Sequence, residues 1–145
     1  MKAKGQQLFL LYASAFLTIA GFGMVFPLLP FYAEKFGATS LELGLLAVSF
    51  SVAQFFCAPL IGRLSDRFGR KPILAWALAG TTLSFLIFGF ANSLFWLFVS
   101  RILHGVAASG VFPIASAYVG DIATKEERVK YMGRLNAMFS LGFVV

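Results

Sequence analysis

Charged residues in this chain come in bursts, and the runs between the bursts are long and apolar. No Asp, Glu, Lys or Arg occurs across residues 5–33 (29 residues), 43–62 (20), 72–100 (29) or 102–120 (19). Each run is close to or above the ~20 apolar residues that a helix needs to cross about 30 Å of hydrocarbon. A further apolar stretch opens near Leu135 and reaches Val145, the last residue. The pattern predicts membrane-spanning helices over about 8–30, 41–61, 72–90, 94–120 and 131–145, the last read as truncated. The links are short: an outer loop from Phe31 to Ser40, a basic inner loop from Gly62, a turn at Ala91-Asn92-Ser93 and an inner loop from Asp121 to Lys130. The expected fold class is all-α, a multi-pass transmembrane helical bundle with no soluble domain. Function then lies inside the bundle or on its inner face.

Composition agrees. Of the residues, 59% are hydrophobic and 12% charged, against roughly a quarter charged in soluble domains. The first apolar run exceeds the 7–15 residues of a signal-peptide core. A lone Cys57 excludes a disulfide framework, and no His/Cys cluster suggests a metal site. The net charge of +6 reports orientation rather than nucleic acid. Lys2, Lys4, Arg63, Arg67, Arg70, Lys71, Lys125, Arg128, Lys130 and Arg134 fall on one side if the spans alternate, against Lys35 on the other. The positive-inside rule then expects a cytoplasmic N-terminus in the cell (inner) membrane.

The most specific segment is Gly62-Arg63-Leu64-Ser65-Asp66-Arg67-Phe68-Gly69-Arg70-Lys71-Pro72. Gly62 and Gly69 permit turn conformations closed to other residues. Asp66 precedes the third span closely enough to meet Arg67, Arg70 or helix-end N–H groups. The pattern Gly-x-x-x-Asp-Arg-x-Gly-Arg-Lys resembles motif A of the major facilitator superfamily. The resemblance implies an incomplete N-terminal half of that fold, lacking the second helical bundle that completes the transporter. It also implies a cytoplasmic latch in which Asp66 contacts a helix end of that second half and Arg70 pairs with Asp121.

Arg101 is the one charge inside an apolar span, where a charge costs at least about 2.5–3.5 kcal/mol. Snorkelling to the outer headgroups is one outcome. A small and polar stripe, Arg101, Gly105, Ser109, Pro113, Ser116 and Gly120, points instead to close helix contact or a water-lined cavity. Arg101-Ile102-Leu103-His104-Gly105-Val106-Ala107-Ala108 resembles motif B of the same superfamily. That implies a proton-transfer role for Arg101. His104 stands where the family usually has glutamine, either as a proton relay or as a neutral, hydrogen-bonded ring.

Gly21 to Pro30 resembles the first-helix signature of twelve-helix drug and tetracycline exporters. The first span has no acidic residue, unlike some multidrug antiporters of the superfamily. Gln54, Ser109 and Asn136 are cavity candidates, with interhelical hydrogen bonding as the plainer reading. The third span, with Trp76, Phe85, Ile87 and Phe88 and no charge, is expected to be peripheral and lipid-exposed. If Gly142 opens the glycine motif that the superfamily's antiporters carry in helix 5, Gly-Pro is expected directly after Val145. The resemblance implies proton-coupled efflux of small, lipophilic or drug-like molecules by alternating access, driven by a proton gradient without a cofactor. Its alternative is a proton–solute symporter for sugars or organic acids. An intramembrane hydrolase is rejected, because His104 and Ser109 lie about 140° apart around one helix. A structural scaffold has no use for an intramembrane arginine.

Overall fold

The computed structural model describes residues 2–144. Val145 lies outside them, as do the side chains of residues 2–7 and 10, Lys2 and Lys4 among them. Six helical segments follow in order: α1 (Lys2–Lys35), α2 (Ser40–Phe68), α3 (Arg70–Gly89), α4 (Leu94–Ala108), α5 (Val111–Ile122) and α6 (Lys125–Val144). Among the described residues, four stretches are long and apolar enough to cross a membrane: Leu11–Lys35, Ser40–Phe68, Arg70–Gly89 and Leu94–Ile122. The outward faces suit lipid. Phe9, Phe31, Phe55, Phe56, Trp76 and Phe90 are all exposed, a surface that water would not tolerate but a bilayer does.

Several helices outrun the apolar runs, for local reasons. Thr39 caps α2 with a reciprocal box: its backbone N–H donates to Glu42 Oε2 (2.7 Å) and Glu42 N–H to Thr39 Oγ1 (3.3 Å). Thr124 and Glu127 repeat the arrangement before α6 at 3.2 and 3.3 Å, so α6 starts at Lys125 rather than near Tyr131. At its far end α1 continues through Pro27 and Pro30 to Lys35. Leu29 and Ala33 are buried against Leu46, Phe88 and Leu97, and that packing holds the last turns despite the lost N–H groups.

The expected inner loop from Gly62 is mostly helix. Gly62 sits inside α2 with open space about it, and only Gly69, at φ 95°, breaks the chain between α2 and α3. A left-handed φ of that kind suits glycine alone, so the turn role falls to Gly69 and not to Gly62. Conversely, the expected single helix over 94–120 is interrupted at Ser109-Gly110. Pro113 has no N–H to give to the Ser109 carbonyl, and its ring crowds that turn.

Two apolar clusters hold the bundle. One joins Leu8, Leu11 and Ala15 of α1 to Ala115 and Val119 of α5 and Leu135 of α6. The other joins Val25, Leu29 and Ala33 of α1 to Leu46, Phe88 and Leu97. They mark opposite ends of the bundle, and the buried polar residues Thr18, Arg101 and His104 fall between them. α4 packs mainly on α2 and α3, and α6 mainly on α1. Both crossings use glycine. A Cβ at Gly105 would collide with the Phe50 carbonyl and lie 2.9 Å from Ala53 Cβ, and one at Gly142 would lie 2.7 Å from the Phe16 carbonyl.

Candidate functional site

In mid-bundle, α4 presents Arg101 and His104 one turn apart on its buried face, at 2% and 0% exposure. Burial this deep rules out snorkelling. Arg101 Nη2 donates to His104 Nδ1 at 3.0 Å. The guanidinium carbon lies 5.8 Å from the Phe50 ring centroid and 5.7 Å from that of Phe88. A hydrogen bond from a charged group contributes about 1.5–3 kcal/mol, and each ring contact near the 6 Å limit about 0.5 kcal/mol. Together they offset the lower bound of the insertion cost, about 2.5–3.5 kcal/mol, and no carboxylate meets Arg101 among the described residues. Arg101 Nε and His104 Nε2 nevertheless have no hydrogen-bond partner among the described residues.

The third helix has the exposed outer face expected of it, with Trp76, Leu83 and Leu86 outward, and also an inward face not expected of it. On that face Ile73, Ala77, Thr81, Ser84 and Phe88 are buried. Phe85 meets the His104 ring at 4.7 Å, nearly edge to face. Phe22 and Phe50 complete the surround, with centroids 6.2 and 5.1 Å from His104.

Beside His104, residues of α1, α2, α4, α5 and α6 line a half-open cavity of about 230 Å³. Its walls are chiefly apolar: Ile19, Phe22, Phe50, Ala108, Val111, Phe112 and Phe139, with Thr18, Gln54 and His104 as the polar members. Gln54 is therefore brought to the cavity. Ser109 and Asn136 are not among its lining residues: the Ser109 hydroxyl turns back to donate to the Val106 carbonyl at 2.7 Å, and Asn136 is exposed on α6. Gly105 serves the α2–α4 crossing.

At one end of the bundle, Arg70 bridges two carboxylates. Its Nε donates to Asp121 Oδ2 at 2.6 Å, and its Nη1 lies 3.2 Å from Asp66 Oδ1. Arg70 is the first residue of α3, and Asp121 lies in the last turn of α5. Each charge sits at the unfavourable end of its own helix dipole, and facing one another relieves both. Arg67 lies outside this cluster, over the Phe68 ring at 5.5 Å. Gly69 supplies the break that aims Arg70.

Membrane-length helices around a partly polar interior cavity form the architecture of a polytopic transport protein. The chain belongs to the Major Facilitator Superfamily, whose family model matches residues 11–145. Over 136 residues it is 36% identical to Multidrug resistance protein 2 of Bacillus subtilis (strain 168), covering 94% of this chain and 34% of that protein. It is 32% identical over 140 residues to the Quinolone resistance protein NorA of Staphylococcus aureus (strain Mu50 / ATCC 700699), covering 97% and 36%. The chain thus spans about a third of the length of these relatives. The crystal structure of the human organic anion transporter MFSD10 (TETRAN) superposes with a TM-score of 0.81 at 26% identity, over 94% of this chain and 38% of that one.

Proposed function

We propose that this chain is the N-terminal part of a proton-coupled exporter of small lipophilic molecules, working by alternating access between two helical bundles. The observation that carries the reading is the mid-bundle cavity, walled by aromatic rings, with the buried Arg101 bound to His104 on its wall and meeting no carboxylate among the described residues. An apolar cavity with few polar groups suits a lipophilic substrate, and a buried intramembrane charge marks a transport or proton pathway. The names of the two bacterial relatives support export. Arg70, Asp121 and Asp66, with Gly69 aiming them, form the near side of a cytoplasmic latch against the second bundle. That end carries Arg63, Arg67, Arg70, Lys71, Lys125, Arg128, Lys130 and Arg134, which favours a cytoplasmic orientation in the cell membrane with the N-terminus inside.

The test uses everted vesicles from cells making the full-length transporter that carries this sequence. An inside-acid gradient should drive accumulation of a fluorescent quinolone, and a protonophore should abolish it. No gradient-dependent accumulation would sink the export reading. Cysteines introduced at Arg67 and Ala38 test orientation: in intact cells only the second should react with an impermeant thiol reagent.

One observation favours the symporter reading, with an organic acid as substrate: the buried Arg101 Nε, which has no hydrogen-bond partner among the described residues, would pair with a carboxylate if the transport cycle exposed it. Proton-driven uptake of such an acid by right-side-out vesicles would select it.

A further inference from the structure

A second hollow lies on the outside of the bundle. α2 and α3 both pack on α4 and touch each other much less, which leaves a furrow of about 660 Å³ between them. Leu64 and Phe68 form one rim, Pro72 and Trp76 the other, and Val106 and Ala107 of α4 the floor. Small residues keep the floor low: a Cβ at Gly80 would lie 3.0 Å from that of Ala107. Among the described residues no lining side chain is charged, and the Trp76 indole is the single polar group. Such walls cannot orient a polar solute. Phe68 and Trp76 are both exposed, so the rims stand free.

The furrow has a polar end. Phe68 and Pro72 flank the turn at Gly69. From Pro72 to Gly80 the lined stretch of α3 runs roughly 12 Å at 1.5 Å per residue. That approaches the ~15 Å depth of one hydrocarbon leaflet, half of about 30 Å. At the turn Arg67 is exposed, and its guanidinium carbon lies 5.5 Å from the Phe68 ring centroid. Among the described residues Arg67 meets no carboxylate: Asp66, the one carboxylate between Gly62 and Pro72, is engaged by Arg70 at 3.2 Å. A ring contact consumes none of the guanidinium's donor fork, whose geometry matches phosphate oxygens.

We propose that this furrow binds an anionic phospholipid, whose acyl chain lies between α2 and α3 while its headgroup phosphate meets Arg67. The inference stands apart from the direction and cargo of transport. A zwitterionic lipid offers the same chain and phosphate, but its ammonium brings a further cation to a segment, Gly62 to Pro72, that holds four cations against one carboxylate. The site therefore prefers a headgroup of net negative charge. A protein helix laid over the same rims would cover Arg67 as well and would have to supply it a carboxylate. A lipid headgroup leaves the cation in the wet interface.

The experiment uses the full-length transporter in phosphatidylcholine vesicles that contain a graded fraction of phospholipid with brominated acyl chains, either phosphatidylglycerol or phosphatidylcholine. Bromine quenches tryptophan fluorescence on contact, and the difference between each protein and its Trp76→Phe counterpart isolates the signal of Trp76. Brominated phosphatidylglycerol should quench that signal at about one-fifth of the mole fraction that brominated phosphatidylcholine requires, the preference expected of one cation beside an anionic headgroup. Arg67→Ala and Arg67→Gln, both at an exposed position, should each bring the ratio to about one. Lys130→Ala, exposed at the same end of the bundle, should leave it unchanged. Equal quenching by the two lipids in the wild type overturns the proposal, as does a preference that survives both Arg67 variants. A preference that Lys130→Ala lowers as much as Arg67→Ala also overturns it, because it then belongs to the whole basic end. A Trp76 signal that neither lipid quenches means that protein covers the furrow, and it refutes the site. Each of these results leaves the export reading standing, since gradient-driven accumulation tests that separately.

Discussion

Arg70 and Arg101 are held by the same bundle in opposite ways. Arg70 is a quarter exposed and spans two carboxylates that are themselves more than half exposed. Arg101 is buried, meets no carboxylate among the described residues, and rests on an imidazole and two phenyl rings. Exposed ion pairs are each worth only about 0.2–1 kcal/mol, so the Arg70 cluster can form and break at little cost. The Arg101 arrangement balances larger opposing quantities, and a small loss on either side leaves a buried charge uncompensated. One region suits a contact that can open at little cost, the other a charge held in place.

The largest expected effect comes from altering Arg101 without removing its charge. Arg101→Lys retains the cation but loses the planar fork that serves His104 and both rings. Gradient-driven export in everted vesicles should fall about tenfold or more while the protein still inserts at normal abundance. Export at the wild-type rate would reduce Arg101 to a packing residue and dissolve the contrast.

Gly105 tests the rigidity of the same region. Gly105→Ala drives a methyl group into the Phe50 carbonyl, so α2 and α4 must separate. A destabilisation of about 1–3 kcal/mol should appear as a lower unfolding midpoint of the purified transporter. An unchanged midpoint would mean that the crossing yields freely.

The Arg70 cluster should respond more mildly. Arg70→Ala and Asp121→Asn should be non-additive, with a coupling of about 0.2–1 kcal/mol in a double-mutant cycle. Strict additivity would show that the 2.6 Å contact contributes nothing. Asp66→Asn, which leaves that contact intact, should impair transport more than stability.

The smallest effect belongs to Gly62, in α2 near the same end. With open space around it, Gly62→Ala should be neutral or stabilise the helix by up to about 1 kcal/mol. A clear loss of thermal stability would mean that α2 bends there.

Much of this arrangement was legible in the residue pattern. The charge-free runs place the spans, and their alternation brings Arg70 to the same end as Asp121, 51 positions away. The helix ends were not placed well, because an apolar run marks what lies in hydrocarbon and not where backbone hydrogen bonding stops. The missing signals were present: Thr39-x-x-Glu42 and Thr124-x-x-Glu127 are both capping boxes, and Pro113 foretells the break at Ser109-Gly110. The role of α3 was obscured because burial within a membrane protein leaves little polarity contrast. Its buried stripe of Ile73, Ala77, Thr81, Ser84 and Phe88 recurs every three or four residues, and its small hydroxyls mark the inward face. The aromatic surround of His104 draws on three helices, which no single periodicity reveals.

Were the chain to pivot at the interruption at Ser109-Gly110, α5 would act as a lever arm. Gly110 and Asp121 are eleven positions apart, roughly 16 Å of helix at 1.5 Å per residue. Pivoting that arm by about 10° would sweep its tip through about 3 Å. A hydrogen bond cannot survive a displacement of that size, so a tilt smaller than many helix crossing angles vary by would be enough to part Asp121 from Arg70. The fulcrum lies next to the cavity, since Ala108 and Val111, on either side of it, both line the wall. A molecule that displaced that wall would act at the short end of such a lever, and the ion pair would sit at the long end, where the movement is magnified.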